Sequence, residues 1–158
     1  MERYLARSSR YIPPMRQILK RMGLPEDLVY IALIESGFNL KAKSSARAVG
    51  PWQFMKATGR RYGLKVDAWV DERRDPIKAT EAAGRYLKDL YLIFESWYLA
   101  ASAYNAGEYK ILRAIEELKT NNYWRISDTR YIRRETKDYI PKMIAAAVAS
   151  ISPLPYGL

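Results

Sequence analysis

Apolar positions recur along most of this chain with the 3.6-residue period of a helix. Leu28, Ile31, Ala32 and Glu35 fall at i, i+3, i+4 and i+7, so one face of the run from Leu28 to Ile34 closes on a carboxylate. Ala79, Ala83, Tyr86, Leu87, Leu90, Tyr91 and Phe94 keep the same period further on. No segment shows strand-like alternation, apart from a small β excursion expected in the stretch 64–74.

Caps and breakers divide this pattern into elements. Pro14 is expected to open a first helix that runs to Met22, with Gly23 closing it. Pro25-Glu26-Asp27 starts a second, with acids at its positive end, and Gly37 stops it after Ser36. Phe38 to Gly50 is a loop, Pro51 to Tyr62 a third helix with Gly63 at its end, and Leu64 to Arg74 irregular. Asp75-Pro76 joins an N-cap to a proline at the first helical position, and that helix reaches Phe94. Gly84 weakens it unless close packing needs a small residue there. Trp97 to Tyr104 is almost wholly apolar, which marks a buried helix ended by Asn105-Ala106-Gly107. Glu108 to Leu118 is helical, and Lys119 to Thr129 is a polar connection. Tyr131 to Tyr139 and the Ala-rich Met143 to Ser150 are helices broken or kinked at Pro141, and Pro153 and Pro155 end the ordered part. The expected fold is all-α: a single compact domain over residues 1–158, with a core at about 12–150.

Composition narrows the chemistry. With 158 residues, 49% of them hydrophobic, the chain has enough for one real core. No stretch of 18 or more apolar residues is present to span a membrane. No signal-peptide pattern stands at the start, and Met1-Glu2-Arg3 is abrupt enough to suggest a trimmed parent. His and Cys are both absent, which removes Ser-His-Asp and Cys-His triads, disulfides and zinc sites with His or Cys ligands. An oxygen-ligand metal site stays open, but no EF-hand spacing or phosphate-cradling glycine loop is seen, and the expectation is neither metal nor cofactor. Carboxylates and Tyr are left as the acid/base groups, with Lys a less usual choice. A net charge of +10 favours polyanionic partners, be they nucleic acid, anionic lipid or an acidic wall polymer. Lys and Arg are dispersed, however, and no nucleic-acid motif appears.

Glu35 is the leading catalytic candidate. Desolvation on an apolar helix and the negative end of the helix dipole both raise the pKa of a carboxyl there, which suits a general acid. The plainer reading is a Glu that points into solvent or pairs with an Arg. Three further segments share its polar character at helix ends: Gly50-Pro51-Trp52-Gln53-Phe54-Met55, Ala103-Tyr104-Asn105-Ala106-Gly107, and Glu135-Thr136-Lys137-Asp138-Tyr139. Gln53 is a bidentate amide suited to a sugar hydroxyl or N-acetyl group. Asn105 by itself is a helix cap, and Tyr104 by itself a core tyrosine.

In this order the Glu-Ser, Gly-x-x-Gln, Ala-Tyr-Asn and Glu-Thr-x-x-Tyr signatures resemble the lytic transglycosylase domain family, which has a goose-type lysozyme fold. The resemblance runs from about Ile12 to Ala149, and the Gly-Pro-Trp-Gln-Phe version looks most like the membrane-bound lytic murein transglycosylase D branch. Many relatives carry Leu-Met where this chain has Pro51-Trp52, which should reshape the groove beside Gln53. The resemblance implies a lysozyme-like domain with helices around a substrate groove. Glu35 would be the single acid/base and Ser36 would support it. Gln53 and Met55 would line the groove, and Tyr104 and Asn105 would contact the substrate or position Glu35. Glu135 and Tyr139 would form the far wall, with Glu135 near the substrate's peptide stem.

The implied reaction cleaves the MurNAc-GlcNAc β-1,4 bond of peptidoglycan without water and leaves 1,6-anhydroMurNAc ends. The implied partner is the glycan strand, acted on by a monomer in the bacterial cell envelope, with no nucleic acid and with membrane association only through parts outside this chain. An ordinary glycosidase places a second carboxylate about 5–5.5 Å away for retention or about 6.5–9.5 Å for inversion. A hydrolytic goose-type muramidase is therefore the first alternative, with Asp67, Asp71 and Asp75 as candidate second acids. A non-catalytic basic wall-binding module and a purely structural helical protein are the others.

Overall fold

The computed structural model describes residues 2–151, with side chains described for residues 6–150. Its described residues form eight α-helices and two short 3-10 turns, joined by loops that hold only isolated β-bridges. The all-α expectation is met. The chain divides into two compact units with the boundary between Tyr86 and Leu87, inside the fourth helix.

The first unit begins with α1 (Glu2–Arg21). Met15, Ile18 and Leu19 form its buried stripe at i, i+3 and i+4. That face packs on a 3-10 turn (Glu26–Leu28) and on α2 (Val29–Ser36). Arg16 reinforces the contact, donating to the Tyr30 hydroxyl at 3.3 Å and pairing with Glu26 and Asp27 at 3.7 and 3.4 Å. α1 starts twelve residues before Pro14, so this proline does not open it. Pro13 and Pro14 sit inside the helix, where their fixed φ is already helical although each lacks an N–H for the ladder.

α2 ends as expected at Gly37, whose φ of +57° is left-handed, with its N–H on Leu33 O at 2.8 Å. The third helix is shorter than expected: α3 covers only Lys56–Arg61. Residues 50–53 instead make a tight turn closed by Gln53 N–H on Gly50 O at 3.1 Å, with left-handed φ at Gly50 (+85°) and Gln53 (+53°). Val49 and Phe54 flank it and exchange both backbone hydrogen bonds. A pair of left-handed residues cannot continue a helix, so the helix waits until Lys56. The β excursion expected after Leu64 is present as a single Val66–Asp71 bridge. Asp75 caps α4 (Pro76–Phe94), its Oδ1 accepting from Ile77 and Lys78 N–H at 2.9 Å each. Gly84 is closely packed: a Cβ there would lie 2.6 Å from Met22 Sδ and 3.2 Å from Leu24 Cδ1, so the end of the Met22 side chain would have to move aside.

The second unit is built on α5 (Trp97–Ala106), whose Leu99, Ala100, Ala101, Ser102 and Ala103 are all buried. Small side chains let α6 (Glu108–Leu118) and α8 (Arg134–Ile151) pack closely on it. Two expectations fail here. The supposed polar connection holds α7 (Tyr123–Ser127), capped by Asn122 and anchored by buried Tyr123 and Ile126. Five residues are too few to show a period. α8 also starts at Arg134 and runs unbroken through Pro141. Pro141 cannot donate to the carbonyl four residues back, which is that of Lys137. The Tyr123 hydroxyl donates to Lys137 O in its place, at 3.3 Å. Burial pushes the Tyr123 hydroxyl's pKa up, so it keeps the proton it donates. Pro153 and Pro155 lie outside the described residues.

Candidate active site

Glu35 stands on the last turn of α2, half-buried, one residue before the helix stops. The Ser36 hydroxyl donates to Pro51 O at 2.8 Å, with Ala32 O also in reach at 3.1 Å. One hydrogen bond thus pins the helix end that carries Glu35 to the turn that carries Gln53. Within that turn, Gln53 Nε2 donates to Gly50 O at 2.8 Å, which fixes the side-chain amide and leaves its Oε1 as an acceptor. A non-glycine residue in left-handed backbone is strained, and such strain gathers at functional sites. Trp52 is fully buried, and its ring N–H donates to Thr80 Oγ1 at 3.0 Å. The bulky departure beside Gln53 therefore anchors the turn to α4. Met55 is exposed.

Arg73, which sequence reasoning did not single out, supports this turn from below. Its guanidinium is buried and pairs bidentately with Asp71, Nε to Oδ1 at 2.8 Å and Nη2 to Oδ2 at 2.7 Å. The remaining Nη1 donates to Phe54 O at 3.1 Å and Arg47 O at 3.4 Å. Its own carbonyl crowds Gly50 so closely that a Cβ there would sit 1.8 Å away. An isolated Arg has no signature in sequence; only the short spacing to Asp71 hinted at a pair.

The three aspartates considered as second acids all have other employment. Asp71 is held by Arg73, whose hydrogen bonds keep its carboxyl below the usual range. Asp67 Oδ1 accepts from Trp69 and Val70 N–H at 2.8 and 2.7 Å, and these bonds lower its pKa too. Asp75 is the cap of α4. Among the described residues, no three carboxylates gather where an ion could be held.

The second unit joins the other two signatures. Asn105 is not a cap: α5 continues to Ala106 and ends at Gly107. Its side chain instead bridges to α8, with Oδ1 accepting from Thr136 Oγ1 at 2.8 Å and Nδ2 donating to Glu135 Oε1 at 3.3 Å. Thr136 is 4% exposed and was quoted in the signature without being given a role. Tyr104 is half-buried, and Tyr139 lies in the core of this unit at 5% exposure.

Comparison with known proteins now bears on these pairs. Residues 14–127 match the family described as Transglycosylase SLT domain. This chain belongs to that family. It is 35% identical over 145 residues to the membrane-bound lytic murein transglycosylase D of Escherichia coli, an alignment covering 89% of this chain and 31% of that protein. The chain thus spans about a third of the length of that relative. Two solved structures share the fold. One is an inactive mutant of lytic transglycosylase Slt from Pseudomonas aeruginosa, with a TM-score of 0.72 and 24% identity over 85% of this chain and 22% of that one. The other is the 70 kDa soluble lytic transglycosylase of Escherichia coli, with a TM-score of 0.69 and 22% identity over 82% and 23%. Among the described residues no helix is long and apolar enough to cross a membrane.

Proposed function

We propose that this chain is the catalytic domain of a peptidoglycan lytic transglycosylase, one domain over residues 1–158, and that Glu35 does the chemistry. The carrying observation is the Ser36–Pro51 hydrogen bond, which ties the end of the apolar helix that carries Glu35 to the turn that carries Gln53. Glu35 gives its proton to the glycosidic oxygen as the bond to the next sugar breaks. The N-acetyl group of the muramyl sugar stabilises the cation left behind. Glu35, now a carboxylate, takes the proton of that sugar's 6-hydroxyl, and the oxygen closes the 1,6-anhydro ring. No water enters, and a nucleophile on the same sugar gains from proximity.

Ser36 supports the acid, Gln53 and Met55 meet the sugar, and Tyr104, Asn105, Glu135 and Tyr139 serve substrate binding. The structural duties of Asp67, Asp71 and Asp75 favour this one-carboxyl scheme over a hydrolytic muramidase, which needs a second acid to place water. The names of its relatives suit an enzyme working in the bacterial envelope on murein strands.

The test is mass spectrometry of purified murein digested by the wild type and by Glu35→Gln. Anhydromuramyl products from the wild type alone are expected. Reducing ends lost in the variant would mean hydrolysis, and no products from either folded protein would leave only wall binding.

A further inference from the structure

Arg73 is a buried cation, yet a buried ion pair by itself contributes little net stability, because desolvating both charges offsets most of their attraction. Where its donors point is therefore more informative than the pairing. Nε and Nη2 take up one edge of the guanidinium on Asp71, whose Oδ1 also accepts from the Arg73 N–H at 3.2 Å. Nη1 donates elsewhere, to Phe54 O and Arg47 O. Arg47 lies before Gly50 in the chain and Phe54 directly after Gln53, so one planar group ties together both flanks of the turn. The backbone of Arg73 adds a third restraint, its carbonyl lying against Gly50. Its side-chain stem packs on Gly59 of α3, where a Cβ would lie 3.3 Å from Arg73 Cγ.

We propose that Arg73 is a positioning residue for the cleavage reaction: it sets the left-handed turn so that the Gln53 amide is fixed before substrate arrives. This rests on the function proposed above, in which Gln53 meets the sugar. The path is short. Arg73 holds both flanks of the turn, the turn holds Gln53 Nε2 on Gly50 O, and Oε1 is left to accept from a sugar hydroxyl. Left-handed backbone at a non-glycine residue persists only where the surroundings over-determine it, and at Gln53 the guanidinium of Arg73 supplies that restraint. A lysine could not replace it, since an ammonium is a point charge without the rigid fork that serves Asp71 and two carbonyls together. Arg73 thus acts through Gln53 and not on the sugar.

The test is a double-variant cycle on the intact chain: Arg73→Lys, Gln53→Gly and the two combined, read as turnover of purified murein well below the melting temperature of each protein. The Gln53→Gly change removes the amide and keeps the left-handed backbone allowed. Arg73→Lys should lower turnover about tenfold where Gln53 is present, because a misplaced contact group loses rate steeply. In the Gln53→Gly background the same change should cost less than about twofold, since the group that Arg73 places is gone. Equal losses in both backgrounds, which a purely structural Arg73 would give, overturn the proposal, and so does wild-type turnover in Arg73→Lys. A second readout needs no turnover: solvent exchange of the Gln53 side-chain amide hydrogens, followed by NMR. It should quicken about tenfold in Arg73→Lys as the bond to Gly50 O loosens, and unchanged exchange overturns the placement. If Arg73→Lys does not fold, Asp71→Asn takes its place in both measurements, since it loosens the same guanidinium without removing it. Murein left uncut by the wild type would sink the catalytic reading alone, with amide exchange still deciding whether Arg73 places Gln53.

Discussion

Thr136 Oγ1 donates to Asn105 Oδ1 at 2.8 Å, joining two signatures that lie 31 residues apart. Thr136 is buried, so either partner alone is costly. Asn105→Ala and Thr136→Val should each destabilise by about 1–2 kcal/mol, and the double variant by less than the sum. Chemical denaturation of the four proteins gives the coupling directly; simple additivity would mean that the bond contributes nothing.

Glu35→Gln keeps the size and shape of the side chain and removes the transferable proton. Turnover of murein should fall by about a thousandfold or more, within the range for a lost general acid/base. Melting temperature should hardly change. A variant with more than a tenth of wild-type activity would exclude Glu35 as the acid.

Gly50 and Gly23 both have positive φ, at +85° and +73°, yet their surroundings differ. A Cβ at Gly23 meets nothing within 4 Å, whereas at Gly50 it runs into Arg73 O. Gly23→Ala should cost only about 1 kcal/mol, the penalty of left-handed backbone. Gly50→Ala should cost about 3 kcal/mol or more, since backbone must move. It should also reduce activity by displacing Gln53. Thermal unfolding of both ranks the two costs, and equal values would show that the close approach is relieved freely.

Asp71 carries the pH dependence of this same turn. Its pKa is lowered from about 3.8 in the folded chain, so folded protein binds its proton less readily than unfolded protein. The stability it contributes is therefore present above pH 3.8 and is lost as pH falls through the folded value. Asp71→Asn should lose stability at neutral pH and show a flatter acid limb. Urea denaturation at a series of pH values measures this, and an unchanged acid limb would contradict it.

Much of the helical frame was legible because its ends are written in caps. Asp75-Pro76 and the Glu108–Leu118 helix lie where the sequence puts them. Pro14 and Pro141 misled, because a proline's local penalty is overridden when its neighbours stay helical, and at Pro141 a distant donor fills the gap. The turn residues after Gly50 were read as helix because left-handed φ at Gln53 has no sequence marker. The signature residues were found, whereas the groups that hold them were not. Arg73 acts through contacts with Asp71, Phe54 and Arg47, the last 26 residues away.

The bond from Tyr123 to Lys137 O makes the history of two positions interdependent. With Pro141 in place, Tyr123→Phe strands a carbonyl and costs about 1 kcal/mol. After Pro141→Ala the helix supplies its own donor, and the same change at Tyr123 becomes nearly silent. A descendant of this chain can therefore shed the hydroxyl cheaply only after it has shed the proline. The reverse order passes through a weaker ancestor.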